Sequence, residues 1–241
     1  VYTRGTDYAL PGDHDPARNA LSPTPPTGLG ITRPIWLLMQ IKRMSSPIAD
    51  LFKAARAHPG GNEAKMIAQI ASVADADPDP ASFMFPIMTA MVGMDDMHDS
   101  FGGIVYGNID KRYDSPLLTS DTSARLNGSI GRMAADARAV AFADRWHKST
   151  GRFSIPLLSV HNRHDGLVFA DQATTLRDRV DAAGNQDNFL LLWAPSQQKD
   201  IPGTGLKGWA HCGFTPRQAT ALWQTLHRWV ETGQRPSEGR Y

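Results

Sequence analysis

Two polar loops, each set between an apolar run and a helical pattern, hold the side chains of this 241-residue chain that could do chemistry together. The first closes the segment Ile155–Asp165, IPLLSVHNRHD, and the second is Ala210–Thr215, AHCGFT. A carboxylate such as Asp165 and an imidazole such as His211 are residue types that can form a general-base pair. The carboxylate fixes the ring tautomer and stabilises the imidazolium, while the other ring nitrogen takes a proton from a nucleophile. That nucleophile is the missing part. No G-x-S-x-G and no G-x-C-x-G elbow occurs in the sequence, and a base with nothing to deprotonate does not carry acyl transfer.

The elements that must position the pair are legible. After Pro156, the run Leu157–Val160 has the character of a parallel strand buried on both faces, and the proline is tolerated because it falls at the strand's start. His161–Gly166 is a polar loop, so Asp165 sits at the carboxyl end of a strand, where open α/β sheets place catalytic groups. A helix follows, with Asp171 as its candidate cap, Leu176, Val180 and Ala183 at helical spacing, and Gly184-Asn185 as its stop. Phe189–Trp193 is a second apolar strand, and Ser196–Gly208 a polar excursion leading to His211. Thr215-Pro216-Arg217-Gln218 combines an N-cap, a proline in the first turn and a capping-box glutamine. Ala219, Leu222, Trp223, Leu226, Trp229 and Val230 then form one stripe expected to pack on the sheet, and Gly233 ends the helix.

Bland readings stand beside these. Asp165 alone could cap the turn that follows it, and His211 alone could be a helix-flanking histidine bonded to backbone. The order of the two residues and their matching strand-loop-helix contexts favour the catalytic reading. His161 is expected in or beneath the site as a hydrogen-bonding residue. Cys212 is expected to be packed rather than nucleophilic, since neighbours in sequence tend to point their side chains apart. His161, His164, Asp165 and His211 can be written as metal ligands, but nothing in their spacing makes three of them converge. Asp95, Asp96, His98 and Asp99 are expected in a solvated loop after a helix. Gly203–Gly208 fits G-x-G-x-x-G literally, but it opens no helix and lacks a βαβ context, so a flexible loop is expected there.

From about Ala134 to Pro236 the chain resembles the C-terminal part of a group of bacterial α/β-hydrolases with esterase and polyester-depolymerase-like relatives. The matching pieces are MAADARAVAFADRW, TGRFSIPLLSVHNRHDGLV, DAAGNQDNFLLL and AHCGFTPRQATALWQTLHRWVETGQRP. The resemblance implies Asp165 as the acid and His211 as the base of a Ser-His-Asp triad acting on carboxylic esters, without a cofactor or metal. It implies an α/β fold, here the C-terminal part of an α/β-hydrolase with a mostly helical cap insertion. Phe169 stands where relatives commonly have proline, and Gly203-Thr204-Gly205 lies in a longer insertion before the histidine. The serine elbow, the early strands and the oxyanion-hole loop are expected on an N-terminal segment or second chain, this chain being a processed or truncated product. The competing reading is a noncatalytic subunit or binding module that kept the topology after losing the nucleophile.

Composition fits this frame: 41% hydrophobic, 20% charged and a formal net charge of +1 argue against a disordered chain and against electrostatic nucleic-acid binding. A neutral small-molecule or polymeric ester suits that charge. The single cysteine excludes an intrachain disulfide framework, no apolar run reaches membrane-spanning length, and a secreted or periplasmic bacterial location is expected over a cytoplasmic one. Residues 1–34 carry a proline cluster and should run extended. Residues 35–133 should be the mostly helical cap, with Ile35–Ile41 open to strand or helix, Glu63–Ala74 a helix and Phe83–Met94 a methionine-rich apolar segment. Residues 134–241 should carry the acid and histidine loops.

Overall fold

The computed structural model describes residues 30–237, apart from a few side chains within its helices. The arm expected over residues 1–34 lies outside them up to residue 29, and its last two residues, Arg33 and Pro34, instead open the first helix. The chain divides into two compact units, one running to His147 and including Ile201–Leu206, the other comprising Lys148–Asp200 and Lys207 onward.

The first unit is helical. Helix α1 (Arg33–Ala57) has Pro34 in its first turn, where a missing N–H costs nothing, and settles Ile35–Ile41 as helix. Helix α2 (Asn62–Ala74) starts after Pro59-Gly60-Gly61 and stops at Asp75, whose φ of 52° is left-handed. Helix α3 (Pro80–Phe101) is capped by Asp79, whose carboxylate accepts the N–H groups of Ala81 and Ser82. Ala49, Phe52, Ile67, Ala81 and Met84 form the core with Ile201 and Leu206. Phe52 meets Phe83 edge to face at 5.2 Å. Burying a side chain such as Phe52 or Met84 contributes roughly 1.5–3 kcal/mol. The acidic segment Asp95–Asp99 belongs to α3 rather than to a loop after it. Polar residues are carried readily on a long helix anchored elsewhere along its length, so local polarity was a poor guide to its end. The side chains of Asp95, Asp96 and His98 lie outside the described set.

Between α3 and helix α4 (Ser120–Ser129) the backbone is tied by buried Asn108, which donates to the Gly131 carbonyl at 2.8 Å and accepts from Met133 N at 2.7 Å. Helix α5 (Ala137–Trp146) is capped by Asp136.

The second unit is built on a βαβ element. Strand β1 (Leu157–Asn162), helix α6 (Ala170–Ala182) and strand β2 (Phe189–Ala194) follow in order, and the strands pair in parallel from Leu157↔Phe189 to Asn162↔Ala194. Alternation places Leu158, Val160, Leu190 and Leu192 on one face, where they pack with Leu222, Leu226 and Trp229 of helix α7 (Pro216–Thr232). That helix has the expected capping box between Thr215 and Gln218 and the expected left-handed Gly233.

Four expectations fail here for identifiable reasons. The cap of α6 is Phe169 and not Asp171, which falls in the first turn. Only part of the α7 stripe is covered: Trp223 and Val230 stay 66% and 60% exposed because two strands are too narrow for the whole face. For the same reason β1 is half-buried rather than buried on both faces, with Asn162 its one buried residue. The glycine-rich Gly203–Gly208 is not a flexible loop but the turn and second strand of a hairpin, β3 (Gln198–Ile201) and β4 (Leu206–Trp209). Gly203 and Gly205 supply the positive φ, and the buried Thr204 hydroxyl donates to the Ile201 carbonyl and accepts from Leu206 N. Among the described residues no helix is long and apolar enough to cross a membrane.

Candidate active site

Asp165 lies three residues beyond β1, and 4% of it is exposed. Its Oδ1 accepts the N–H groups of Leu167 at 2.8 Å and Val168 at 2.9 Å, and Oδ2 accepts the N–H of Cys212 at 3.1 Å. The turn-capping role and the histidine-binding role are therefore filled by the same carboxylate. His211 Nδ1 is 3.0 Å from Oδ1 and 3.1 Å from Oδ2. A carboxylate only accepts, so Nδ1 carries the proton and donates, which leaves Nε2 of the neutral ring as a proton acceptor. The His211 side chain is 39% exposed. Burial pushes the Asp165 pKa up, but the N–H groups of Leu167, Val168 and Cys212 and the His211 ring outweigh it and hold the carboxyl below its ordinary value.

The histidine loop is held by backbone as well as by side chains. Ala210 N donates to the Gln197 carbonyl at 2.8 Å. Gly213 N donates to Asn162 Oδ1 at 2.9 Å, while Asn162 Nδ2 donates to the Pro195 carbonyl at 3.1 Å. Asn162 thus joins the ends of β1 and β2 to the histidine loop, a role the sequence reading missed. A signal existed: at the period of two, Asn162 continues the buried face of Leu158 and Val160, where an amide has to find partners.

Cys212 departs from expectation. It is exposed rather than packed, its φ is 51°, and Sγ lies 3.4 Å from His211 Nε2 and 3.8 Å from Nδ1. The two side chains converge because the left-handed backbone at Cys212 turns its Cβ back toward the ring. An atom in line with the Nε2 lone pair would be far more distant from Nδ1 than from Nε2. Near-equidistance within the ring plane would crowd Cε1 inside van der Waals contact. The sulfur therefore stands over the ring face, off the Nε2 lone-pair direction.

Asp165, His211 and Cys212 each offer one ligand atom within 4.8 Å of the others. The fit to a metal is poor, because both oxygens of Asp165 already serve backbone N–H groups and His211, and Sγ is off the Nε2 lone-pair direction. Neither His161 nor His164 joins this group. His161 Nδ1 is 2.6 Å from the Asn162 carbonyl and its ring meets Trp193 edge to face, and His164 stacks on Trp209 with ring centroids 4.9 Å apart. Among the described residues no hydroxyl lies within hydrogen-bonding distance of His211; its partners are Asp165 and Cys212. Chemically, a neutral imidazole oriented through Nδ1 on a carboxylate has the arrangement of a general base. Set against protein-family models, curated proteins and solved structures, the chain matches none.

Proposed function

We propose that Asp165 and His211 are the acid and base of a carboxylic ester hydrolase of the α/β-hydrolase type, whose serine is carried on an N-terminal segment or second chain. The observation that carries this reading is the imidazole held through Nδ1 on a buried, ionised carboxylate, on a side chain that is 39% exposed. The partner reading is supported by β1, an apolar strand left half-buried, and by the exposure of Ile155, Trp223 and Val230 in the second unit. These are surfaces that further strands would cover.

In this mechanism His211 Nε2 takes the serine proton as the oxygen attacks the ester carbonyl. The imidazolium, stabilised by Asp165, returns the proton to the departing alcohol, leaving an acyl-enzyme. Water then attacks, giving its proton to Nε2, and the acid leaves as the serine regains its hydrogen. The chain's near-zero net charge suits a neutral small-molecule or polymeric ester.

The test is a hydrolysis assay with nitrophenyl esters on material purified from its native source, followed by a serine-directed fluorophosphonate and peptide mapping. The expected adduct is on a glycine-flanked serine outside this sequence, with activity surviving exhaustive chelation. An adduct on Ser100, Ser159 or another serine of this chain would refute the divided site. Loss of activity on chelation would refute the serine mechanism. Absence of esterase activity in material containing the partner would favour the noncatalytic alternative.

A further inference from the structure

We propose that Asn162 is a positioning residue for His211, acting through a two-point clamp on the consecutive amides of Cys212 and Gly213; the inference rests on the acid–base reading of the site. Asn162 is 1% exposed, and both ends of its amide are used: the oxygen accepts from Gly213 N and the nitrogen donates to the Pro195 carbonyl. One residue earlier in the loop, Cys212 N donates to Asp165 Oδ2. Between these two anchors Cys212 is held at a φ of 51°, a conformation that is costly for a residue with a Cβ. Such strain persists only where the surroundings over-determine it.

Removing the Asn162 oxygen orphans the Gly213 N–H and releases one side of the clamp. Cys212 is then free to relax toward negative φ, which rotates the peptide joining it to His211 and swings Nδ1 off the carboxylate. An amide serves both neighbours here, but it is the oxygen accepting from Gly213 that makes the clamp, the nitrogen serving the Pro195 carbonyl. Aspartate keeps the acceptor and lacks the donor, and leucine, of nearly the same shape, lacks both.

The experiment is nitrogen-15 and proton NMR of histidine-labelled 241-residue chain, reading the His211 tautomer and its Nδ1–H signal, alongside circular dichroism. Wild type is expected to show one tautomer with Nδ1 protonated. Asn162→Leu should lose that Nδ1–H signal and give a mixture of tautomers, while Asn162→Asp, which keeps the oxygen for Gly213, should retain it. Adding Cys212→Gly to Asn162→Leu should restore the signal, because glycine holds the left-handed conformation without the clamp. In an ester assay of the catalytically complete protein, Asn162→Leu should lower kcat on the order of 10²-fold with little change in KM.

A folded Asn162→Leu with the wild-type His211 signal would overturn the proposal, as a merely space-filling asparagine predicts that result. If Asn162→Leu does not fold, Asn162→Asp decides: folded and lacking the signal, it overturns the clamp. Failure of the hydrolase reading looks different, since esterase activity would be missing while the His211 signals still respond to Asn162. Turnover that needs His211 but ignores Asn162 would sink the clamp alone.

Discussion

Asp165→Asn is the substitution whose consequences can be worked furthest from the geometry. The carboxylate serves four donors: Leu167 N, Val168 N, Cys212 N and His211 Nδ1. An amide has one oxygen. If it keeps Leu167 and Val168, its NH2 faces the N–H groups of Cys212 and His211, donor against donor. One buried backbone N–H is then orphaned, at about 1–3 kcal/mol, and the surviving bonds lose their charge assistance, for a total of about 2–4 kcal/mol. For a chain of this size that corresponds to a fall in Tm of roughly 5–15 °C. The pH dependence gives a second reading. Asp165 has a folded pKa below its ordinary value, so its stabilisation is fully present above the unfolded value of ~3.9 and is lost as pH falls through the folded value. The stability gap between wild type and Asp165→Asn should therefore be flat from neutrality to about pH 5 and close in stronger acid. Denaturant unfolding across that range measures it. An unchanged Tm, or a gap that widens in acid, would refute the placement of the carboxylate as a shared acceptor.

In the catalytically complete protein, His211→Ala should reduce kcat by on the order of 10³- to 10⁶-fold and Asp165→Asn by about 10⁴-fold with the fold retained, whereas Cys212→Ser should change it little; steady-state kinetics on all three would overturn the role assignment if Cys212→Ser alone abolished turnover. Gly151→Ala should destabilise by about 2–5 kcal/mol in denaturant unfolding, because Gly151 has a φ of 70° and an added Cβ would overlap the backbone of Arg179 and Val180. Ser82→Ala should be neutral or stabilise by up to about 1 kcal/mol, since the buried Ser82 Oγ has no hydrogen-bond partner among the described residues; a loss of stability would show that the hydroxyl is satisfied after all.

The sequence alone determined the local features. The β1 and β2 runs, α2 after Pro59-Gly60-Gly61, the Thr215–Gln218 capping box and the Gly233 stop were all readable, because each depends on neighbours a few residues away. The order of Asp165 and His211, each in a loop between a strand and a helix, was readable for the same reason. Tertiary structure alone decided whether those two side chains meet, because their hydrogen bond spans 46 residues. It also decided that Asn162 reaches Gly213, 51 residues away, and that Cys212 turns toward the ring, which follows from a backbone angle no propensity specifies. The acidic segment of α3 and the exposed half of the α7 stripe were misread for a related reason. Composition reports what a segment can bury, whereas the neighbouring elements decide what it does bury: helix continuity carried Asp95–Asp99 past the expected end, and two strands left Trp223 and Val230 uncovered.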